Sequence, residues 1–214
     1  DRMVIRGFHT ELEAVYEEYN ISLTNDHRKQ LAALMAKLFP NHPYGLQTTI
    51  GTQEHLKNPS ITNIKNYFNK WYRPNNVAIC MAGDFDPEKT IAIIDQYFSS
   101  WHPGDDVRQP VFPQQPVFTQ PRDTTVVGQE AEQIWMGWQA KQANSLQADT
   151  LELMEDVLNN GRAGLFDLNL VQKMKLQKAN GTCQLDHDLG EFMVMGTPKE
   201  GQSLDEVKAL LLAE

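Results

Sequence analysis

Four prolines fall within twelve residues, at positions 110, 113, 116 and 121. Proline lacks a backbone N–H and fixes φ, so neither a helix nor a central strand can run through such a stretch. The density predicts an extended, semi-rigid connector. It divides the chain of 214 residues into two parts that carry different patterns. That length suffices for one large or two small domains with real cores.

The part before the prolines reads as mostly helical. From about Met3 to Lys37 the pattern is helical, with a break or cap near "SLTND" (22–26), whose side chains favour caps over helix interiors. Leu31, Leu34, Met35 and Leu38 recur at helical spacing, and the helix must stop ahead of Pro40. A long irregular connection follows, and Ser60 then caps a helix through "ITNIKNYFNKWY" that "RPNN" ends. "NVAICMAG" (76–83) is an almost wholly apolar run and reads as a buried strand. The next helix has Asp86 as N-cap, Pro87 at its first position and Glu88 beside the positive end of the dipole. A lone buried strand cannot satisfy its own N–H and C=O groups. It therefore calls for sheet partners across the boundary or upstream of Asp1.

After the prolines, "TTVVGQ" and "EQIWMGWQA" are strand-like. "QADTLELMEDVLNN", closed by Gly161, and "LFDLNLVQKMKLQK" read as helices. "TCQLDH" and "EFMVMGT", joined by "DLG", form a hairpin pattern, and "SLDE" (203–206) is a capping box that opens a last helix. The order β-β-α-α-β-β-α predicts an α+β fold of two layers, a mostly antiparallel sheet packed against helices.

Composition narrows the partners. The formal net charge of −9 argues against a nucleic-acid backbone, whose binding rests on clustered Lys and Arg. No run approaches the roughly 18 apolar residues of a membrane span. Cys80 and Cys183 form no C-x-x-C pattern and read as buried free thiols, so they do not fix a compartment. The chain opens at Asp1 without an initiator Met and stops at Glu214 inside the last helix, which reads as a fragment of a longer protein.

Within "GFHTELEAVYEEYN" (7–20), Glu11 and Glu18 lie seven residues apart, almost two helical turns, and so share a side. Spacing alone favours a solvated acidic helix face over half of a site, because acids seven residues apart are common on helices. His42 in "HPYG" reads as a loop histidine with a structural hydrogen bond rather than a metal ligand, and Asp84 and Asp86 as turn and cap residues. The four tryptophans, 71, 101, 135 and 138, read as core or interface aromatics, and Arg162 with Gly164 as a helix-to-helix junction.

"ELEAVYEEYN", "FPNHPYG", "TIGTQEHLKN", "WYRPNNVAICMAGDFDPEKTIAIIDQYF" and "NNGRAGLFDLNLVQKMKL" follow one another in an order that resembles the pitrilysin/insulinase family of zinc metallopeptidases, the inverted zincins. The resemblance is densest from Phe39 to Phe98. It implies a peptidase in which two His of an H-x-x-E-H helix bind Zn²⁺ and its Glu activates the bound water. A further Glu, the second of an E-x6-E pair, completes the ligand set. By this resemblance Glu18 is the third zinc ligand and Glu11 a supporting carboxylate.

The chain departs from that pattern in one respect. None of its six histidines, 9, 27, 42, 55, 102 and 187, has another His four residues away. The resemblance therefore places the H-x-x-E-H segment upstream, with Zn²⁺ in the parent protein and none bound to this inactive fragment. It implies residues 1–109 as the later part of the first, zinc-bearing domain, 110–121 as a linker, and 122–214 as a truncated second α+β domain. Peptide substrates enclosed by clamshell halves, with the rest of the parent chain or a partner subunit as companion, are the implied partners. Missing sheet partners also imply self-association of the fragment. The alternative is a non-catalytic family member that serves as scaffold or substrate-binding subunit.

Overall fold

The computed structural model describes residues 7–105, 107 and 110–214. Met3 to Arg6, expected to open the first helix, lie outside the described residues. Two compact units emerge from the backbone contacts: one gathers residues up to Glu18 with Gly51–Phe112, the other Tyr19–Ile50 with Pro113–Glu214.

The first unit is helical. It holds most of α1 (Phe8–Leu23), the short α4 (Gln53–Lys57), α5 (Ile61–Trp71) and α6 (Pro87–Phe98). Caps set the starts of α5 and α6: the Ser60 side chain accepts from the Asn63 amide, and Asp86 accepts from the amides of Glu88 and Lys89. Along α5, Ile61, Ile64, Phe68 and Trp71 form the half-buried stripe that their spacing predicts. The expected strand over 76–83 is absent. Pro74–Asn76 make a single 3-10 turn, and Val77, Ile79 and Met81 run on exposed, 44 to 55% accessible. With no neighbouring strand among the described residues, the run has the composition of a strand but no ladder to join. Cys80, expected buried, is exposed for the same reason.

The second unit is α+β. It contains α2 (Asp26–Leu38), α3 (Pro43–Leu46), β1 (Ile134–Lys141), α7 (Leu146–Leu158), β2 (Lys178–Leu185), β3 (Leu189–Thr197) and α8 (Leu204–Ala213). The three strands form an antiparallel sheet in the order β1-β3-β2. Trp138, Phe192 and Cys183 lie abreast on one face, and Gln139, Glu191 and Gln184 on the other. Phe192 and Val194 carry the first face into a core with Phe166, Leu170, Leu176, Val207 and Leu211. On the opposite face α2 lies against β1, where Gly137 admits Leu34 and Leu38 so closely that an added Cβ would stand 3.0 to 3.2 Å from them.

Local chemistry explains the remaining differences. "TTVVGQ" (124–129) forms no strand, although its residues suit one. The helix expected over "LFDLNLVQKMKLQK" shrinks to Leu165, Phe166 and a π-helical turn, Asp167–Val171. The Asp167 carboxylate accepts from the amides of Asn160 and Gly164, each at 3.2 Å, and folds "NNGRAG" back on that turn. Helix α7 ends sooner than expected, at Leu158, where Asn159 turns extended and its N–H donates to the Glu155 carbonyl. Gly161, expected to close the helix, lies beyond that end at φ +75°, which a side chain disfavours. The capping box at α8 is complete: Ser203 accepts from the Glu206 amide, and the Glu206 carboxylate accepts from the Ser203 N–H at 2.9 Å.

Candidate functional site

Helix α1 carries both candidate acids. Glu11 lies in its first turn, where a carboxylate favours the positive end of the dipole. The helix ends where the Ser22 hydroxyl donates to the Tyr19 carbonyl at 2.6 Å and the Thr24 hydroxyl to Ile21 at 2.8 Å. Leu12, Val15, Tyr16 and Tyr19 form its half-buried stripe. Helical geometry sets Glu11 and Glu18 together beside that stripe, and both are exposed. Gln53 on α4 donates to the Tyr16 hydroxyl at 3.0 Å, which ties the "GTQEHLKN" segment to this helix within the same unit.

Two solvated carboxylates on one helix face offer hard oxygen donors. They do not make a cage: among the described residues no group of three His, Cys, Asp or Glu side chains is placed to hold a metal ion. The histidines are dispersed. His9, His55, His102 and His187 are exposed, and His27 packs edge-on against Trp135 at 4.6 Å. His42 is buried and caps α3, its Nδ1 accepting from the Tyr44 amide at 3.3 Å. That is the structural role its loop setting predicts.

Two buried acids escaped the sequence reading. Asp26, only 4% accessible, accepts from the amides of Gln129 at 2.5 Å and Glu130 at 2.8 Å, and from Lys29 at 2.7 Å. The Lys29 hydrogen bond, then that of the Glu130 amide, holds its carboxyl down at about 2. Glu191, 2% accessible, goes the other way: burial first, then the Asp186 charge, pushes its carboxyl up to about 7. Alternation along β3 places Glu191 on the face opposite Phe192, but nothing in the sequence says that α2 covers that face. Cys183 is chemically quiet: burial first, then its hydrogen bond to Glu155, pushes the thiol up to about 12.

The family model of the peptidase M16 inactive domain matches residues 60–214, most of the chain. The chain belongs to the peptidase M16 family. This meets the resemblance to pitrilysin-type peptidases read from the sequence, and the α+β fold agrees with it. An M16 relative, the zinc protease PqqE of Helicobacter pylori, is 25% identical over 182 residues, covering 79% of this chain and 40% of that protein. The probable zinc protease PqqL of Haemophilus influenzae is 30% identical over 60 residues, 28% of this chain and 6% of that protein. This M16 chain thus spans well under half the length of these relatives. In fold it is similar to the crystal structure of a protease from Helicobacter pylori, with TM-score 0.80 and 18% identity over 99% of this chain and 52% of that one. It is similar also to the first half of the periplasmic protease PqqL from Escherichia coli, with TM-score 0.63 and 14% identity over 95% of this chain and 44% of that one.

Proposed function

We propose that the chain is a segment of a zinc-dependent metalloendopeptidase that hydrolyses peptides inside a clamshell chamber. In this reading Glu18 supplies the third zinc ligand and Glu11 a supporting carboxylate that orients or balances the ligand set. Residues 1–109 belong to the zinc-bearing domain, 110–121 to a linker and 122–214 to the second domain. The observation that carries the reading is the E-x6-E pair, exposed together on one face of α1 in a chain of the M16 family. A carboxylate oxygen is a suitable zinc donor, so Glu18 fits the role, and both imidazole ligands come from outside this sequence. Bound zinc would polarise the scissile carbonyl and lower the pKa of water. The protein's own part here is to present Glu18 from a rigid helix, with Glu11 one repeat away.

A second reading, a non-catalytic scaffold or substrate-binding subunit, draws on the matched model being that of the inactive domain. Cleavage of an unfolded peptide by the longer protein that contains this chain separates the two. The peptidase reading expects turnover that Glu18→Gln lowers by at least about 100-fold and Glu11→Gln by less. No turnover in the unmodified protein, with binding of the same peptide retained, supports the scaffold. Turnover unchanged by Glu18→Gln removes Glu18 from the site.

A further inference from the structure

The C-terminal end of α2 and the "HPYG" turn are seated on the sheet through the tip of the β2–β3 hairpin. Gln139, abreast of Glu191 on β1, donates to the Leu38 carbonyl at 2.5 Å. Phe39 is fully buried beside it. His42 Nε2 lies 3.5 Å from a carboxylate oxygen of Asp188, and the Tyr44 hydroxyl is hydrogen-bonded to the Asp188 backbone. Gly45 packs on the carbonyls of Met35 and Phe39 so tightly that a Cβ has no room there. Beneath this cover sits the Glu191 carboxyl, whose Oε2 has no hydrogen-bond partner among the described residues.

We propose that residues 38–46 form a proton-controlled latch on the β2–β3 hairpin, with Glu191 as its sensing carboxyl. While Glu191 carries its proton, the uncharged acid is tolerated beneath the turn. When the proton leaves to solvent, the buried carboxylate has Gln139 and Gln184 abreast and the acids Asp186 and Asp188 at the hairpin tip, so its charge is uncompensated. Water reaches it only if the turn lifts. Tyr44 faces the same group, as do His42 and His187 around Asp188, and Lys141 at the end of β1 is exposed. The direction follows from linkage: the native state holds a proton that the unfolded state releases near the ordinary glutamate value. The closed latch is therefore fully stable below that value and loosens as pH rises through about 7. This inference does not rest on the peptidase reading.

Hydrogen exchange of the 214-residue chain, corrected for intrinsic rates, tests it between about pH 5 and about pH 8. The reporting amides are Phe39, Gly45 and Leu46 in the turn and Asp186 at the hairpin. Their protection should fall by at least about tenfold across that range, while the amides of α8 hold theirs. Glu191→Gln, which cannot ionise, should abolish the fall. Asp188→Asn, which removes one carboxylate that His42 faces, should lower protection at every pH and keep the slope. Equal slopes in the unmodified chain and Glu191→Gln would overturn the latch, as would a uniform loss across the sheet. If Glu191→Gln does not fold, the ¹³C-carboxyl titration of Glu191 in the unmodified chain decides: a midpoint near 7 supports the proposal, and one in the ordinary carboxylate range overturns it.

Discussion

Asp26 shows how one side chain can hold two distant segments together. Its carboxylate sits in the first turn of α2 and takes hydrogen bonds from Gln129 and Glu130, more than a hundred residues along the chain. Gly128 beside it leaves room for this approach, because a Cβ there would overlap the carboxylate. The hydrogen bonds favour the ionised form, so the native carboxyl titrates at about 2 and the unfolded one near the ordinary aspartate value. The native state thus binds fewer protons in this window. The contribution is complete above the unfolded value and is lost as pH falls through about 4 towards about 2. Unfolding midpoints measured across that range should drop more steeply for the unmodified chain than for Asp26→Asn. Asp26→Asn should also be the less stable of the two at neutral pH, because it replaces an acceptor oxygen with an amide that competes for the same N–H groups. Parallel acid limbs for the two proteins would show that this carboxylate does not shape the acid transition.

At the scale of elements, helix starts were legible and strands only in part: "EQIWMGWQA", "TCQLDH" and "EFMVMGT" fall in β1, β2 and β3, whereas two further runs form no strand. Ser60, Asp86 and Ser203 cap the helices that their sequences announce, because a cap is satisfied by amides two or three residues away. Ser203→Ala should therefore destabilise α8, and the core that Val207 and Leu211 enter, by about 1 kcal/mol. A shift in the denaturant midpoint reports it, and an unchanged midpoint would mean that the box adds nothing to this helix. Strand composition, in contrast, promises only that a run will pair if a neighbour is present. Residues 76–83 and 124–129 have the composition and form no ladder, whereas Leu189–Thr197 is flanked on both sides and becomes the central strand. The same limit hid Glu191. Strand geometry puts it on the face opposite Phe192, a face it shares with Met193 and Met195. Its burial, however, depends on the end of α2 and the turn after it, which pack on that face from far upstream. The E-x6-E spacing on α1 was visible because both acids belong to a single helix.

Across the whole molecule, apolar surface is distributed unevenly. Among the described residues of the first unit none is buried, and Tyr67, Ile91, Ile93 and Tyr97 are 55 to 73% accessible. The second unit has a buried core of Phe166, Leu170, Leu176, Phe192, Val194, Val207 and Leu211, with Leu38 and Phe39 buried on the other side of the sheet. Exposed apolar surface on this scale, with the strand-like run at 77–81 among it, favours association. Sedimentation of the 214-residue chain should show mass increasing with concentration. A strict monomer at high concentration would mean that this face is covered or too weak to pair. For the proposed role in proteolysis, the direct measurement is the zinc content of the longer protein, purified and dialysed, with and without Glu18→Gln. The proposal predicts close to one zinc per chain, lost in Glu18→Gln. One zinc retained at full stoichiometry in Glu18→Gln would contradict it.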